Sequence, residues 1–101
     1  MNSNEKTSIQ YWKLIRVGKA KKVFEDFNGA IEAYSKAIEI NKNQYNAYFY
    51  RGNIYSKIKH HDYAISDYTE ALRIKNSNFC TKILLERRDK EILEKYKLNK
   101  A

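Results

Sequence analysis

His60, His61 and Asp62 are consecutive, and imidazole beside carboxylate is a donor combination that can hold zinc. Adjacent side chains rarely converge on one ion, and the chain has no third histidine, so the pair reads as turn residues and no metal site is expected. Cys80 is the sole cysteine. A thiol acts as a nucleophile where a base stands beside it, and no histidine is near Cys80 in sequence, so it reads as a packed, inert side chain. The three glycines, Gly18, Gly29 and Gly52, do not form a phosphate-cradling loop. The carboxylates fall on helix surfaces, where solubility accounts for them. The chain is therefore expected to be no enzyme, with no catalytic residue, no metal and no cofactor.

What remains is binding chemistry. The net charge is +8 and the sequence pI about 9.5, which favours acidic partners: an acidic peptide, nucleic acid or an anionic membrane surface. The charge is unevenly placed. Residues 46–61 hold Arg51, Lys57 and Lys59 with no carboxylate, whereas residues 25–45 hold Glu25, Asp26, Glu32 and Glu39 against Lys36 and Lys42. A lone cysteine allows no intramolecular disulfide and fits a cytoplasmic or other reducing intracellular setting. No run of about eighteen apolar residues suggests a membrane span. Residues 9–17 are too often interrupted by Gln10, Lys13 and Arg16 to be a secretory signal. Arg16, Lys19, Lys21 and Lys22 imitate a mitochondrial transit peptide, but the same segment is needed as a helix of the fold.

With 101 residues the chain has room for one domain. Proline is absent, which suits helices joined by short turns. Shifting the chain against itself by 34 residues superposes Gly18 on Gly52, Ala30 on Ala64, Ile31 on Ile65, Tyr34 on Tyr68, Ala37 on Ala71 and Ile40 on Ile74. A single shift that preserves both small and aromatic positions marks a stacked structural unit. Within each unit Ala30, Tyr34, Ala37, Ile38 and Ala64, Tyr68, Ala71, Leu72 recur three or four apart, as does the run Tyr48, Arg51, Gly52, Tyr55, so all three segments read as helices. Asp26 or Asn28 is placed to cap the second helix, and the polar residues 57–62 can hold the later turn. The recurring glycines and alanines allow helices to approach closely.

Residues 47–75, AYFYRGNIYSKIKHHDYAISDYTEALRIK, resemble a tetratricopeptide (TPR) repeat. Tyr48, Gly52 and Tyr55 stand at its first-helix positions, and Ala64, Tyr68 and Ala71 at its second-helix positions. Residues 14–40 are similar through Leu14, Gly18, Phe27, Ala30, Tyr34 and Ala37. The departures are Lys21 at a usual aromatic position, Lys42 and Asn76 in place of the closing proline, and His61 in place of the turn aromatic. The resemblance covers residues 14–78. Beyond them Phe79, Ile83, Leu84, Ile92, Leu93, Tyr96 and Leu98 continue a helical pattern without the repeat signature. That pattern reads as a long capping helix with a polar back made of residues 86–91.

The expected fold is all-α, an α-solenoid fragment of antiparallel helix pairs. A flexible N-terminus spans 1–8, a first repeat 9–44, a second 45–78 and the capping helix 79–98. By resemblance, the first helices line a concave groove that takes extended or helical peptides. The groove-facing positions are then Trp12, Ile15, Lys19 and Lys22, followed by Phe49, Asn53 and Lys57, and by Ile83, Arg87 and Lys90. In the family, co-chaperones grip acidic chaperone tails with a set of Lys, Asn and Arg residues, and this chain has Ile15, Lys19, Tyr50, Cys80 and Leu84 there, so that clamp is disfavoured. The resemblance implies a protein-interaction adaptor or assembly subunit whose basic groove receives an acidic or amphipathic segment. The alternative is a structural subunit of a larger complex that uses its end surfaces, or self-associates through them. Basic and aromatic residues also suit nucleic acid, a reading that ranks last because Tyr34, Tyr48, Tyr55 and Tyr68 are already needed in the core.

Overall fold

The computed structural model describes the backbone of residues 3–75 and 78–100 and the side chains of residues 4–75 and 81–97. The expectations for Asn76, Phe79, Cys80 and Leu98 concern side chains outside that set. Among the described residues five helices follow one another: α1 (Ser3–Val23), α2 (Phe27–Ile40), α3 (Tyr45–Lys57), α4 (His61–Ile74) and α5 (Asn78–Lys100). Each packs on the next, and α1 also meets α3, so the chain is an all-α stack of antiparallel pairs. Its radius of gyration is 14.2 Å, above the roughly 13 Å of a compact chain of this length. Stacking in one direction accounts for the excess. Among the described residues no helix is long and apolar enough to cross a membrane.

The 34-residue period is visible atom by atom. In both units the glycine of the first helix faces the tyrosine ring of the second. A Cβ added to Gly18 would lie 2.7 Å from Tyr34 Cδ1, and one added to Gly52 would lie 2.9 Å from Tyr68 Cε1. Ala30, Ala37, Ala64 and Ala71 are fully buried beside those rings, which is why no larger side chain recurs there.

The turns repeat as well. Glu25 and Lys59, again 34 apart, have φ of 60° and 67°. Asp26 N–H donates to Lys21 O and Glu25 N–H to Lys22 O, while His60 N–H donates to Tyr55 O and Lys59 N–H to Ser56 O. Each is a Schellman closure, in which one left-handed residue satisfies the last carbonyls of the helix. The next residue, Asp26 or His60, is already the N-cap of the following helix. Asp26 fulfils the capping role expected of it by accepting from Gly29 N–H at 2.9 Å.

Four readings are corrected. Residues 1–8 were expected to precede the helices, yet α1 is helical from Ser3, with the Thr7 hydroxyl donating to Asn4 O. His61 and Asp62 do not fill a turn: His61 opens α4 and is buried, paired through Nδ1 with Glu91. Asp62 reaches Lys95 at 2.6 Å. Glu91 accordingly belongs to the interior of the α4–α5 contact and not to the polar back of α5, and it also accepts from the Ser56 hydroxyl. Glu91 and Lys95 seat one face of α5 on the first turn of α4. Ile92 and Leu93, expected on the covering face together with Leu84, lie between those two contacts on the outer side of the helix and are 43% and 62% exposed, whereas Leu84 is buried against α4 as expected.

Candidate functional groove

The residues that shape the inner wall are held by contacts between units. Tyr11, buried in α1, accepts a hydrogen bond at 3.0 Å from Ala47 N–H in the first turn of α3. The α3 N-cap, Gln44, makes no side-chain cap bond, so a phenol 36 residues away satisfies one of the helix's open N–H groups. Arg51 of α3 donates twice to the buried Asp67 of α4, at 2.8 and 2.7 Å, and once to Ser35 of α2 at 3.0 Å. Burial pushes the Asp67 carboxyl up and the Arg51 guanidinium pulls it back. Arg51, counted in the sequence among the cations of a positive wall, is thereby committed to joining three helices.

The candidate groove residues fall into four groups. Lys19, Lys22, Asn53 and Lys57 meet around one cavity of about 460 Å³, together with Val23, Glu25, Tyr34 and Tyr50. Lys19 Nζ rests 4.4 Å from the Tyr50 ring centroid and Lys57 Nζ lies 5.9 Å from that of Phe27. Ile83, Arg87 and Lys90 meet around a second cavity of about 490 Å³ with Ser56, Tyr68, Glu86 and Glu91. Phe49 and Ile83 line a smaller, more apolar hollow of about 190 Å³ with Tyr45, Asn46, Tyr50 and Leu84. Trp12, 41% exposed and edge-on to Tyr11, lines none of these three.

Ile15 is corrected: it is 1% exposed and packs in the core with Tyr11, Ala30 and Tyr34. A position that turns toward a groove at the margin of a repeat here points into the α1–α2–α3 core, so Ile15 offers nothing to a partner.

Arg87 joins the cavities. Its guanidinium lies 5.3 Å from the Phe49 ring centroid and donates to Asn53 Oδ1 at 3.1 Å, and Tyr68 OH donates to the same oxygen at 2.6 Å. Tyr34, the 34-residue counterpart of Tyr68, is fully buried with no hydrogen-bond partner for its hydroxyl. Burial raises both phenols to about 12, so each remains a donor at neutral pH. The sequence held a signal for this difference. The residue 34 before Asn53 is Lys19, whose ammonium cannot accept a proton. Tyr50 and the His61–Glu91 pair carried no such signal, because they act between units and outside the superposed positions, and Tyr11, which superposes on Tyr45, carried none because its partner is a backbone N–H of the next unit.

The geometry is that of a stacked-hairpin array with a polar inner wall, and family comparison agrees with it. A model described as TPR repeat matches residues 25–59, the second helix of the first unit and the first helix of the second. A model described as tetratricopeptide repeat matches residues 45–78, which contain the α3–α4 pair. No curated protein matches the chain. With matches that together span more than half of its residues, the chain belongs to the tetratricopeptide repeat family, whose repeats form protein–protein interaction modules.

Proposed function

We propose that this protein is an adaptor or assembly subunit without catalysis of its own, and that the wall formed by α1, α3 and α5 receives an acidic or amphipathic segment of another protein. The observation that carries the reading is the first cavity. Lys19, Lys22 and Lys57 line it, and among the described residues none of the three pairs with a carboxylate. Cations left in water beside half-buried Asn53 and Tyr50 steer an acidic partner. The apolar hollow at Phe49 and Ile83 anchors it, in the usual division between rate and residence time. Lys90 and Arg87 extend the basic wall along α5. A single cysteine fits a reducing intracellular setting for such a module.

A triple variant, Lys19→Ala, Phe49→Ala and Arg87→Ala, tests the reading by affinity capture against wild type, with circular dichroism confirming that the helices are retained. Loss of the captured partner is the expected result. Undiminished capture by the folded variant refutes groove binding. It would instead favour docking through an end of the stack, a second reading motivated by the exposure of Ile92 and Leu93 on the outer side of α5. Nucleic acid ranks last, and retention of a homopolymer at physiological salt is the observation that would promote it.

A further inference from the structure

The first cavity has a more specific chemistry than positive charge. Asn53 Oδ1 takes hydrogen bonds from both Arg87 and Tyr68. A guanidinium only donates, so the amide orientation is fixed by its partners and not interchangeable. The Asn53 Nδ2 group therefore presents its two N–H donors away from Arg87 and Tyr68. Those two residues line the second cavity, whereas Asn53 lines the first. Tyr34 lines the same wall with a hydroxyl that has no partner among the described residues, and a phenol is a donor at neutral pH. Lys19, Lys22 and Lys57 add ammonium groups, and Glu25 is the one carboxylate among the lining residues. Donors thus converge where one negative group opposes three positive ones.

The second unit shows what completes such an arrangement. Beside Tyr68 the acceptor is Asn53 Oδ1, and beside Tyr34 the equivalent residue is Lys19, which cannot accept. We infer that the cavity between α1, α2 and α3 is an oxyanion subsite, which takes a carboxylate or phosphate group carried by an extended peptide through Asn53 Nδ2, Lys19, Lys22 and Lys57, with Tyr34 OH as the innermost donor. Lys19, exposed and resting on the face of Tyr50, moves aside to admit the group. The subsite rests on the groove reading given above and deepens it. It shares only Lys19 with the positions of the chaperone-tail clamp, since Ile15 is in the core and Tyr50 is stacked on Tyr34, and Asn53, Lys22, Lys57 and Tyr34 stand outside that clamp.

The test uses the full chain and a fluorescein-labelled hexaglutamate peptide, followed by anisotropy at physiological salt. The Asn53 side-chain amide is followed in parallel by nitrogen–proton correlation NMR. Hexaglutamate is expected to shift the Asn53 amide pair. Lys22→Gln/Lys57→Gln is expected to weaken binding about tenfold, and Tyr34→Phe, which leaves the charge unchanged, about threefold. Lys13→Gln/Lys82→Gln removes the same charge from exposed sites away from the cavity and controls for long-range attraction. The subsite is overturned if the Lys22/Lys57 variant loses no more affinity than this control, if the Asn53 amide does not move, or if hexaglutamate fails to bind. The groove reading is separated from these outcomes by repeating its capture assay with Phe49→Ala/Arg87→Ala alone, which leaves Lys19, Lys22, Lys57 and Tyr34 in place. Competition by inorganic phosphate and by a phosphoserine hexapeptide assigns the source: displacement by either marks a phosphate-tolerant site, and resistance to both marks a carboxylate site.

Discussion

Replacing Tyr34 by phenylalanine removes one oxygen from a core that offers it no partner, and the same change at Tyr68 removes an oxygen that donates to Asn53 at 2.6 Å. The two residues occupy equivalent positions in adjacent units, with 0% and 1% exposure, so packing and area nearly cancel in the comparison. A buried hydroxyl without a partner costs about 1–3 kcal/mol of desolvation, whereas a satisfied one contributes about 0.5–1.5 kcal/mol net. Tyr34→Phe should therefore stabilise the protein by about 1 kcal/mol and Tyr68→Phe should destabilise it by about 1 kcal/mol, since Asn53 keeps Arg87 in both cases. At about 4–8 °C per kcal/mol for a domain of this size, the two variants should melt about 8–16 °C apart on either side of wild type. Far-ultraviolet circular dichroism melts, checked for reversibility and repeated in urea, measure this directly. If Tyr34→Phe melts below wild type by as much as Tyr68→Phe, the Tyr34 hydroxyl is satisfied in solution, and the argument from unequal partners fails.

Four other outcomes follow from the same contacts. Both phenols are raised from 10.0 to about 12 in the folded state, so the fold holds protons that the unfolded chain releases; stability is complete below pH 10 and falls between pH 10 and 12, by on the order of 2 kcal/mol for each phenol, and alkaline melts read this loss. Lys59→Gly relieves a left-handed residue at φ 67° and should stabilise by about 0.5–1 kcal/mol after the added chain entropy is subtracted, visible as a higher urea midpoint. Gly18→Ala drives a methyl group into the Tyr34 ring and should cost about 1–3 kcal/mol in the same denaturation assay. Arg51→Ala strands Asp67, whose side chain is 5% exposed, whereas Asp67→Ala leaves Arg51 at 21% with a route to water; the first should cost about 3–5 kcal/mol and the second about 2 kcal/mol, and equal losses would contradict this asymmetry.

The helices and their stacking were legible in the sequence because they depend on residues that recur. Gly18 and Gly52, Ala30 and Ala64, and Tyr34 and Tyr68 keep their types because each pair makes the same contact in its own unit, and a periodic signal survives in any one-dimensional reading. The contacts between units were not legible. Arg51 reaching Ser35 and Asp67, and Glu91 buried against His61, join positions whose counterparts at the 34-residue shift are of other types, and Tyr11, although it superposes on Tyr45, caps α3 across the boundary between units, a contact that the shift alone does not reveal. Exposure at the edges was misread for a related reason. Ile15 has the side chain expected at either a groove wall or a core, and only the crossing of α1 over α2 and α3 decides that it is core. Ile92 and Leu93 continue a helical pattern, and the seating of α5 on α4 through Glu91 and Lys95 leaves them on its outer side.

The groove owes its chemistry to places where the repeat is broken. Lys19, Asn53 and Arg87 are successive at the 34-residue spacing, as are Ile15, Phe49 and Ile83. In the first series a cation, an amide and a guanidinium occupy one structural position. Arg87 and Tyr68 converge on Asn53, while Tyr34 faces Lys19 and has no partner. The same substitution of chemistry at constant geometry occurs one turn further along. Lys57 approaches the ring of Phe27 where, a unit later, Glu91 pairs with the ring of His61. An ammonium over a phenyl ring stays in contact with water, whereas a carboxylate paired with an imidazole in the interior is withdrawn from it, so the first pairing leaves a cation on the cavity wall and the second closes α5 onto α4. Equivalent backbone units thus produce one end of the wall that carries Lys19, Lys22 and Lys57 with a single carboxylate, and another where Glu86 and Glu91 stand beside Arg87 and Lys90. On the function proposed above, polarity of that kind would orient an extended acidic chain with its charge toward Lys19, Lys22 and Lys57 and its apolar side chains toward Phe49 and Ile83.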